Sequence, residues 1–255
     1  MKFPDTPRVE FVQNPLAEVI CQLRFPRQFA VEGALPVELQ RHLAKSFPLV
    51  ETRFSLEFAA SNSDELAPPV RRPIYDFSSL ARDLTITLAT DFVAVTSREY
   101  QNWSAFSDTI RIAWEAVRTV YGVGFITRVG LRYRNIVERE KLQLNGVSWD
   151  ELIRSEFLGF LASDLDGAAF ATEANTSHLF QIEKGSLALN SSLVHANDQT
   201  KSALLIDSDF YLEEVIDGKQ NVYMDILNSY NLEAGRLFRW AIKDRLRERL
   251  MAPKD

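Results

Sequence analysis

The chain has few of the residues that build disulfides, metal clusters and membrane spans. Its 255 residues include one cysteine, Cys21, and three histidines. One cysteine cannot form an intramolecular disulfide, and it excludes a zinc site made of several cysteines. No stretch approaches the roughly 18 apolar residues of a membrane-spanning helix, and the first residues lack the apolar core of a signal peptide. We therefore expect a cytoplasmic protein that uses no metal, cofactor or membrane.

Familiar catalytic motifs are missing as well. The sequence has no G-x-G-x-x-G, P-loop, G-x-S-x-G or H-E-x-x-H. It therefore lacks the motifs by which proteins bind dinucleotides or nucleoside triphosphates, and those that form serine-hydrolase and zinc-protease active sites. None of His42, His178 and His195 has a second histidine at the spacing of a metal pair. The sequence offers no group that we assign to catalysis, and we expect a binding protein rather than an enzyme.

The charge balance limits the class of partner. Asp and Glu outnumber Lys and Arg by 35 to 29, and the formal net charge is −6. Broad attraction to a polyphosphate backbone depends on a surplus of basic residues, so nucleic acid is not favoured as the partner. A protein partner or a small anionic ligand fits this composition better, because a local basic strip can still bind an anion.

Two stretches read as equivalent β-strands. In residues 16–26, LAEVICQLRFP, and 126–137, ITRVGLRYRNIV, apolar and polar side chains alternate with a period of two. They align without a gap, Val19 on Val129 and Arg24 on Arg134. Because strands of this kind bury one face, we expect both to lie side by side in the middle of a sheet.

The order of elements after each strand also repeats. Each is followed by a helical stretch, three strand-like runs and an amphipathic helix, which predicts the order β-α-β-β-β-α twice, in halves 1–122 and 123–255. The third strand-like run of the first half covers 84–100, and the amphipathic helices cover 103–122 and 222–250. Ser148 and Glu151 predict a capping box at the start of a helix over 148–163. We expect an α+β fold in which antiparallel sheet is covered by helices on one face. The order resembles the saddle of TATA-box-binding-protein-like folds and the helix-grip folds, an analogy of fold that implies no function.

Three arginines share one face of the second strand. Arg128, Arg132 and Arg134 alternate with apolar residues, and Gly130 between them leaves room above the backbone. Guanidinium groups bind carboxylate, phosphate or nucleotide through paired hydrogen bonds, which makes this strip, together with Arg24, the candidate ligand site.

The same arginines can instead belong to a salt-bridged sheet. Glu18, Glu57 and other carboxylates of the predicted strands could pair with them across the sheet. The alignment of the halves favours this alternative, since Glu18 matches Arg128 and Gln22 matches Arg132, so that adjacent strands would carry complementary polar groups.

Asp207 and Asp209 form a second candidate site. Their spacing of two places both carboxylates on one side of a strand, where they could bind a divalent cation. Such pairs are also common on solvated strand faces, and we favour that interpretation. Cys21 lies on the apolar side of its strand and is expected to act as a small buried hydrophobe.

Several stretches resemble one family of bacterial proteins. They are RVGLRYRNIV, NPLAEVICQLRFP, SALLIDSDFYLEE and GRLFRWAI. The family has about this length and a sporadic distribution, and an R-x-G-L-R-Y-x-N strand is its most recognisable feature. Arg134 stands where the family more often has an apolar residue. The resemblance covers nearly the whole chain and implies no established activity, and the patchy occurrence points to mobile or defence loci.

Two functions follow as expectations. The first is a non-enzymatic binding or interaction protein that uses its arginine-bearing sheet face or groove. The alternative is a nucleic-acid-associated or effector component of a bacterial defence or toxin-type locus. A third hypothesis is an enzyme with an active site near Asp207 and Asp209. A broad sheet face without helices could also bind a second copy of the chain and form a homo-oligomer.

Overall fold

The strands form one antiparallel sheet in a computed structural model that describes residues 2–57, 69–163, 171–195 and 202–253. Nine strands follow the order β2-β3-β4-β5-β1-β7-β10-β9-β8, and β6 pairs with β11 in a separate two-stranded sheet. The strands are β1 (Leu16–Arg24), β2 (Leu49–Glu57), β3 (Val70–Ser78), β4 (Leu84–Leu88), β5 (Phe92–Ser97), β6 (Phe125–Ile126), β7 (Arg128–Glu138), β8 (Asn175–Gln181), β9 (Ser186–His195), β10 (Ser202–Leu212) and β11 (Ile216–Asp217). The predicted α+β class with antiparallel sheet is confirmed.

Six α-helices accompany the sheet in the described part of the chain. They are α1 (Phe29–Gly33), α2 (Val37–Leu43), α3 (Trp103–Tyr121), α4 (Trp149–Leu152), α5 (Val222–Ala241) and α6 (Asp244–Met251), with 3-10 helices at Ser155–Phe157 and Gly159–Ala162. No helix within these described segments is both long enough and apolar enough to cross a membrane.

The chain divides into two compact units. One comprises Met1–Val19, Leu131–Leu212 and Ile226–Asp255, and the other comprises Ile20–Gly130 and Glu213–Asp225. Strands β1 and β7 therefore contribute residues to both units. The internal duplication with halves 1–122 and 123–255 stays a prediction.

Strands β1 and β7 are neighbours, as expected. Thr127 N donates to Arg24 O at 2.8 Å, and Ile136 N donates to Pro15 O at 2.8 Å, so the two strands run antiparallel. Residues 129, 131, 133, 135 and 137 of β7 are buried, whereas the three arginines are only half-buried. The alternation that identified the strand in the sequence is thus the alternation between its core side and its arginine side.

The core side of β7 faces α5 in the first of these units. Tyr133 Oη donates to Asn231 Oδ1 at 2.9 Å, which joins the strand to the helix. Phe210 of β10 packs against Tyr230 of α5 with ring centroids 5.7 Å apart. Since side chains alternate along a strand, the arginines point away from α5.

Helix α3 belongs to the other unit. Asn102 caps its first turn by accepting a hydrogen bond from Ala105 N at 3.0 Å, and Gly122 ends it in the left-handed conformation at φ +66°. Trp114 is fully buried and donates from Nε1 to Gly218 O at 2.9 Å. The predicted helix over 103–122 is therefore confirmed, with both end signals present in the sequence.

The first half contains more elements than predicted. The run at 84–100 is a hairpin of β4 and β5 rather than one strand, because the chain turns at 89–91, where Ala89 N donates to Phe92 O at 2.9 Å. Helix α1 was not predicted either. The second half has additional elements as well, the short strands β6 and β11, so the two halves do not have identical element order.

Two predicted helices are interrupted. The helix expected over 148–163 is α4 followed by the two 3-10 helices, and the helix expected over 222–250 breaks between α5 and α6. The two breaks coincide because Ile153 and Ile242 form a β-bridge, with Arg154 N donating to Ala241 O at 2.9 Å and Lys243 N to Leu152 O at 2.8 Å. These backbone groups bond between segments instead of within helices.

The predicted capping box at the start of α4 is wrong in its chemistry. Ser148 occupies the N-cap position, but its side chain caps no backbone amide of the helix. Its Oγ donates to Glu151 Oε1 at 3.2 Å. A hydroxyl that donates to the carboxylate does not accept from the first turn.

Candidate functional site

Arg132 is held by the carboxylate of Asp207 on β10. Arg132 Nε donates to Asp207 Oδ1 at 2.7 Å, and Nη2 donates to Oδ2 in the second bond of a bidentate pair. The Asp207 side chain is 7% exposed, whereas that of Arg132 is 43% exposed. The pair therefore has a buried anionic side and a solvent-facing cationic side.

Electrostatics keep this guanidinium charged. The hydrogen bonds to Asp207 are the main cause that raises the pKa of Arg132, and Asp209 and Glu18 add to the effect through their negative charge. Burial acts in the opposite direction but does not prevail. Arg132 is thus a fixed cation, oriented by a planar two-bond contact.

Arg134 pairs with Glu18 on β1. Its Nη1 donates to Glu18 Oε2 at 3.0 Å. Its Nε is buried and has no hydrogen-bond acceptor among the described residues. Glu18 was expected to pair with one of these arginines, and the antiparallel register of β1 and β7 selects Arg134 rather than the aligned Arg128.

Arg128 lies along its own strand. Its Nη1 donates to Gln22 at 3.1 Å, and its Nε lies 3.7 Å from Glu213. A Cβ atom added at Gly130 would lie 2.4 Å from Arg128 Nη1. The room above Gly130, which the sequence suggested for a ligand, is filled by the Arg128 guanidinium.

Arg24 is the most accessible of the four predicted arginines. It is exposed at the end of β1 and makes no ion pair with any residue that the structure describes. The side chain of Glu57, the other predicted carboxylate partner, lies outside the described residues.

Asp207 and Asp209 lie on one side of β10, as predicted, and the carboxylate of Asp207 binds Arg132. Asp207 and Asp209 lie two residues apart opposite Asn190 and Ala188 of β9, so both face the arginine side. Both oxygens of Asp207 accept from Arg132. No group of three or more His, Cys, Asp or Glu side chains with the geometry of a metal site occurs among the described residues. Asp207 thus serves as the acceptor for Arg132.

Cys21 behaves as the sequence predicts. Its side chain is buried on the core side of β1, and burial raises the pKa of the thiol well above its usual range. A thiol that stays protonated and inaccessible is a packing group rather than a nucleophile.

A cleft that the sequence did not reveal lies beside the end of β7. Its volume is about 630 Å³, and its lining includes Ile136, Glu138, Lys141 and Arg249. Gln13 closes one side, because its Nε2 donates to the carbonyls of Arg249 and Ala252, each at 3.2 Å. The lining residues come from three distant parts of the chain, 13–17, 136–143 and 249, so no local sequence signal could have identified the cleft.

Two ion pairs define the arginine side of β7. The arginine face, which we define as Arg132 and Arg134 with Asp207 and Glu18, combines fixed cations with carboxylates that neutralise them. Comparison of the chain with protein-family models and with curated protein sequences finds no match.

Proposed function

We propose that the protein is a non-enzymatic interaction module whose arginine face docks a protein partner. The observation that carries the proposal is Arg132. Its guanidinium is anchored by the buried Asp207, yet 43% of the side chain is exposed. Arginines of this kind, fixed before binding and planar, are enriched among the residues that dominate protein interfaces.

The hydrogen-bond pattern supports a contact through the outer part of Arg132. Nε and Nη2 are used by Asp207, whereas Nη1 donates to no residue that the structure describes. A partner can therefore accept from Nη1 or stack on the guanidinium plane without breaking the internal pair. Little side-chain entropy is lost on binding, because Asp207 has already fixed the rotamer.

The pattern of charge favours a protein over a free phosphate or a nucleic acid. Each of Arg132 and Arg134 has its own carboxylate within 3.0 Å. The arginine face is therefore close to neutral and presents alternating signs, whereas binding of a polyphosphate requires a surplus of positive charge. A protein surface with its own mixed charges matches this arrangement.

The resemblance to the sporadic bacterial family stays part of this proposal. It rests on the motif at residues 128–135, in which Arg128, Arg132 and Tyr133 donate to Gln22, Asp207 and Asn231. A role in a defence or toxin-type locus would give the proposed partner a natural source.

The experiment compares proteins recovered from cells of the source organism by wild-type protein and by Arg132→Lys and Arg134→Ala variants. Arg111→Ala is the matched control, because Arg111 is an exposed, ion-paired arginine on α3. Lysine keeps the charge beside Asp207 but loses the planar fork. We expect a protein that wild type and Arg111→Ala retain equally and that both other variants lose by roughly tenfold or more, the size of a hot-spot substitution.

Two results would contradict the proposal. One is recovery of the same proteins in the same amounts by all four versions. The other is salt-sensitive binding of inorganic phosphate or a single-stranded oligonucleotide that depends on Arg132, which would make the arginine face an anion site.

A further inference from the structure

The edge strand β2 exposes apolar side chains. Within the described chain it pairs with β3 alone, from Leu49 opposite Ser78 to Glu57 opposite Val70. Val50, Phe54 and Leu56 are all exposed, Phe54 by 52%. A long edge strand with exposed apolar side chains is a template for pairing with another strand.

We propose that a second copy of this chain docks on this edge by antiparallel pairing of the two β2 strands around a twofold axis at Thr52. In this register, residues 49–55 of one copy run opposite residues 55–49 of the other. Glu51 of each copy then faces Arg53 of the other, and this opposite-charge contact occurs twice because the interface is symmetric.

The charges select this register over its neighbours. A twofold axis that relates antiparallel strands of one sheet leaves each side chain on its own face of the sheet. Residues directly opposite each other share a face, so the axis has to lie at a residue. Alternative registers therefore differ only in which residue of β2 lies on the axis. A centre at Glu51 places Glu51 opposite its own copy, and a centre at Arg53 does the same for Arg53. Both place like charges directly opposite each other, which destabilises a sheet, whereas a centre at Thr52 avoids both.

Each charged side chain on this face of β2 already has a partner of opposite sign, which offsets the like charges of Glu51 and Asp76. Arg53 Nε donates to Asp76 Oδ2 at 2.6 Å, and Asp76 also accepts from Thr87 Oγ1 at 2.6 Å. Glu51 lies directly opposite Asp76 in the register and pairs with Arg82 at 2.7 Å. Arg53 of the second copy would place a further cation next to Glu51, on the side away from Asp76.

The accessibility of these groups permits the new contact. The side chains of Arg53 and Glu51 are 58% and 62% exposed. Each can therefore keep its internal partner and bond on its outward side. On the opposite face of the strand, the same register places Val50 against Phe54 of the second copy, which removes exposed apolar surface from water.

The other edge of the sheet lacks this self-complementarity. Strand β8, NTSHLFQ, carries no Asp, Glu, Lys or Arg to fix a register. Pairing of β2 with β8 of another copy would be head-to-tail and would generate open chains instead of a closed dimer. The size of the assembly therefore distinguishes the proposed contact from that alternative.

The first test is cross-linking at the symmetry centre. In the proposed register the two Thr52 Cα atoms lie about 4.5–5.5 Å apart, which is within the range of a disulfide. Cys21 is buried and does not interfere. We expect Thr52→Cys to form a covalent dimer under mild oxidation, whereas Ser55→Cys, an exposed position on the same strand, forms no covalent dimer because the two residues 55 lie roughly 20 Å apart. Equal cross-linking of the two variants, or of neither, would overturn the proposal.

The second test exchanges the charges. An interface of this size is below about 1,200 Å², so we expect a weak dimer whose fraction rises with concentration in sedimentation velocity. Arg53→Glu and Glu51→Arg should each be monomeric, because each places like charges opposite each other twice. A 1:1 mixture of the two variants should restore the dimer, and so should the double variant E51R/R53E.

These outcomes separate loss of association from loss of folding. A variant that fails to fold cannot associate with its counterpart, whereas restored dimer in the mixture requires both chains to be folded. Wild-type protein that stays monomeric at all concentrations, that forms open chains, or whose dimer is indifferent to both single charge reversals would refute the proposed contact.

Discussion

Replacement of Arg132 by alanine measures how strongly the arginine face depends on its internal pair. The substitution leaves the Asp207 carboxylate, only 7% exposed, without its two guanidinium donors. Breaking a fully buried pair costs about 3–5 kcal/mol. Because 43% of the Arg132 side chain is exposed, water screens the pair and can enter after truncation, so we expect a loss of about 1–3 kcal/mol. For a chain of this length that corresponds to a fall in Tm of roughly 3–10 °C.

A double-mutant cycle assigns this loss to the pair. Free energies of unfolding are measured by urea denaturation in 0.15 M salt for wild type, Arg132→Ala, Asp207→Ala and the double variant. We expect a coupling energy of about 1 kcal/mol or more, since two groups in direct contact are not additive. Arg111→Ala, which breaks an exposed pair with Asp108 on α3, should cost only about 0.3–0.5 kcal/mol. An additive cycle, or equal losses in Arg132→Ala and Arg111→Ala, would refute the argument from burial.

Two further predictions concern single residues. Burial raises the pKa of the Cys21 thiol in the folded chain, so the contribution of this thiol to stability is complete below the unfolded thiol pKa of about 8.5 and is lost as the pH rises above it. We expect alkylation of Cys21 by iodoacetamide at pH 8.5 to be slow until urea unfolds the chain. Rapid labelling of the native protein would contradict this prediction. Gly185 adopts φ +86°, and an added Cβ would lie 2.1 Å from Tyr211 O, so Gly185→Ala should destabilise by more than about 1 kcal/mol, whereas Gly33→Ala, with open space around the position, should change the denaturation midpoint little.

The sequence was sufficient to predict elements whose signals are local. Alternation identified β1 and β7, and the three- and four-residue spacing of apolar residues identified α3, with Asn102 and Gly122 at its ends. The adjacency of β1 and β7 also followed, because two strands with a buried and a polar side belong in the interior of a sheet. Breaks that depend on distant backbone partners, such as the bridge between Ile153 and Ile242, leave no local trace.

The partners of the arginines could be predicted only in kind. Pairing with strand carboxylates is one of the two alternatives, but Asp207 is expected on a solvated strand face or, less favoured, at a divalent cation. Arg132 and Asp207 are 75 residues apart in the chain, and the register of β7 against β10 fixes their contact. Hydrophobic period determines which side of a strand a residue faces, not which residue of a neighbouring strand lies opposite it.

The hydrogen bonds between Gln13 and the end of α6 affect the order in which the chain can fold during synthesis. The Gln13 amide bonds to the carbonyl of a residue that is synthesised 236 positions later, and the unit that contains both is assembled from three separate segments. Contacts of such long sequence separation slow folding, because loop closure is paid before the contacts form. On the ribosome, Gln13 has to remain without these partners until residues 249–252 have been synthesised, which makes the unit that contains Ile20–Gly130 the better candidate for co-translational folding.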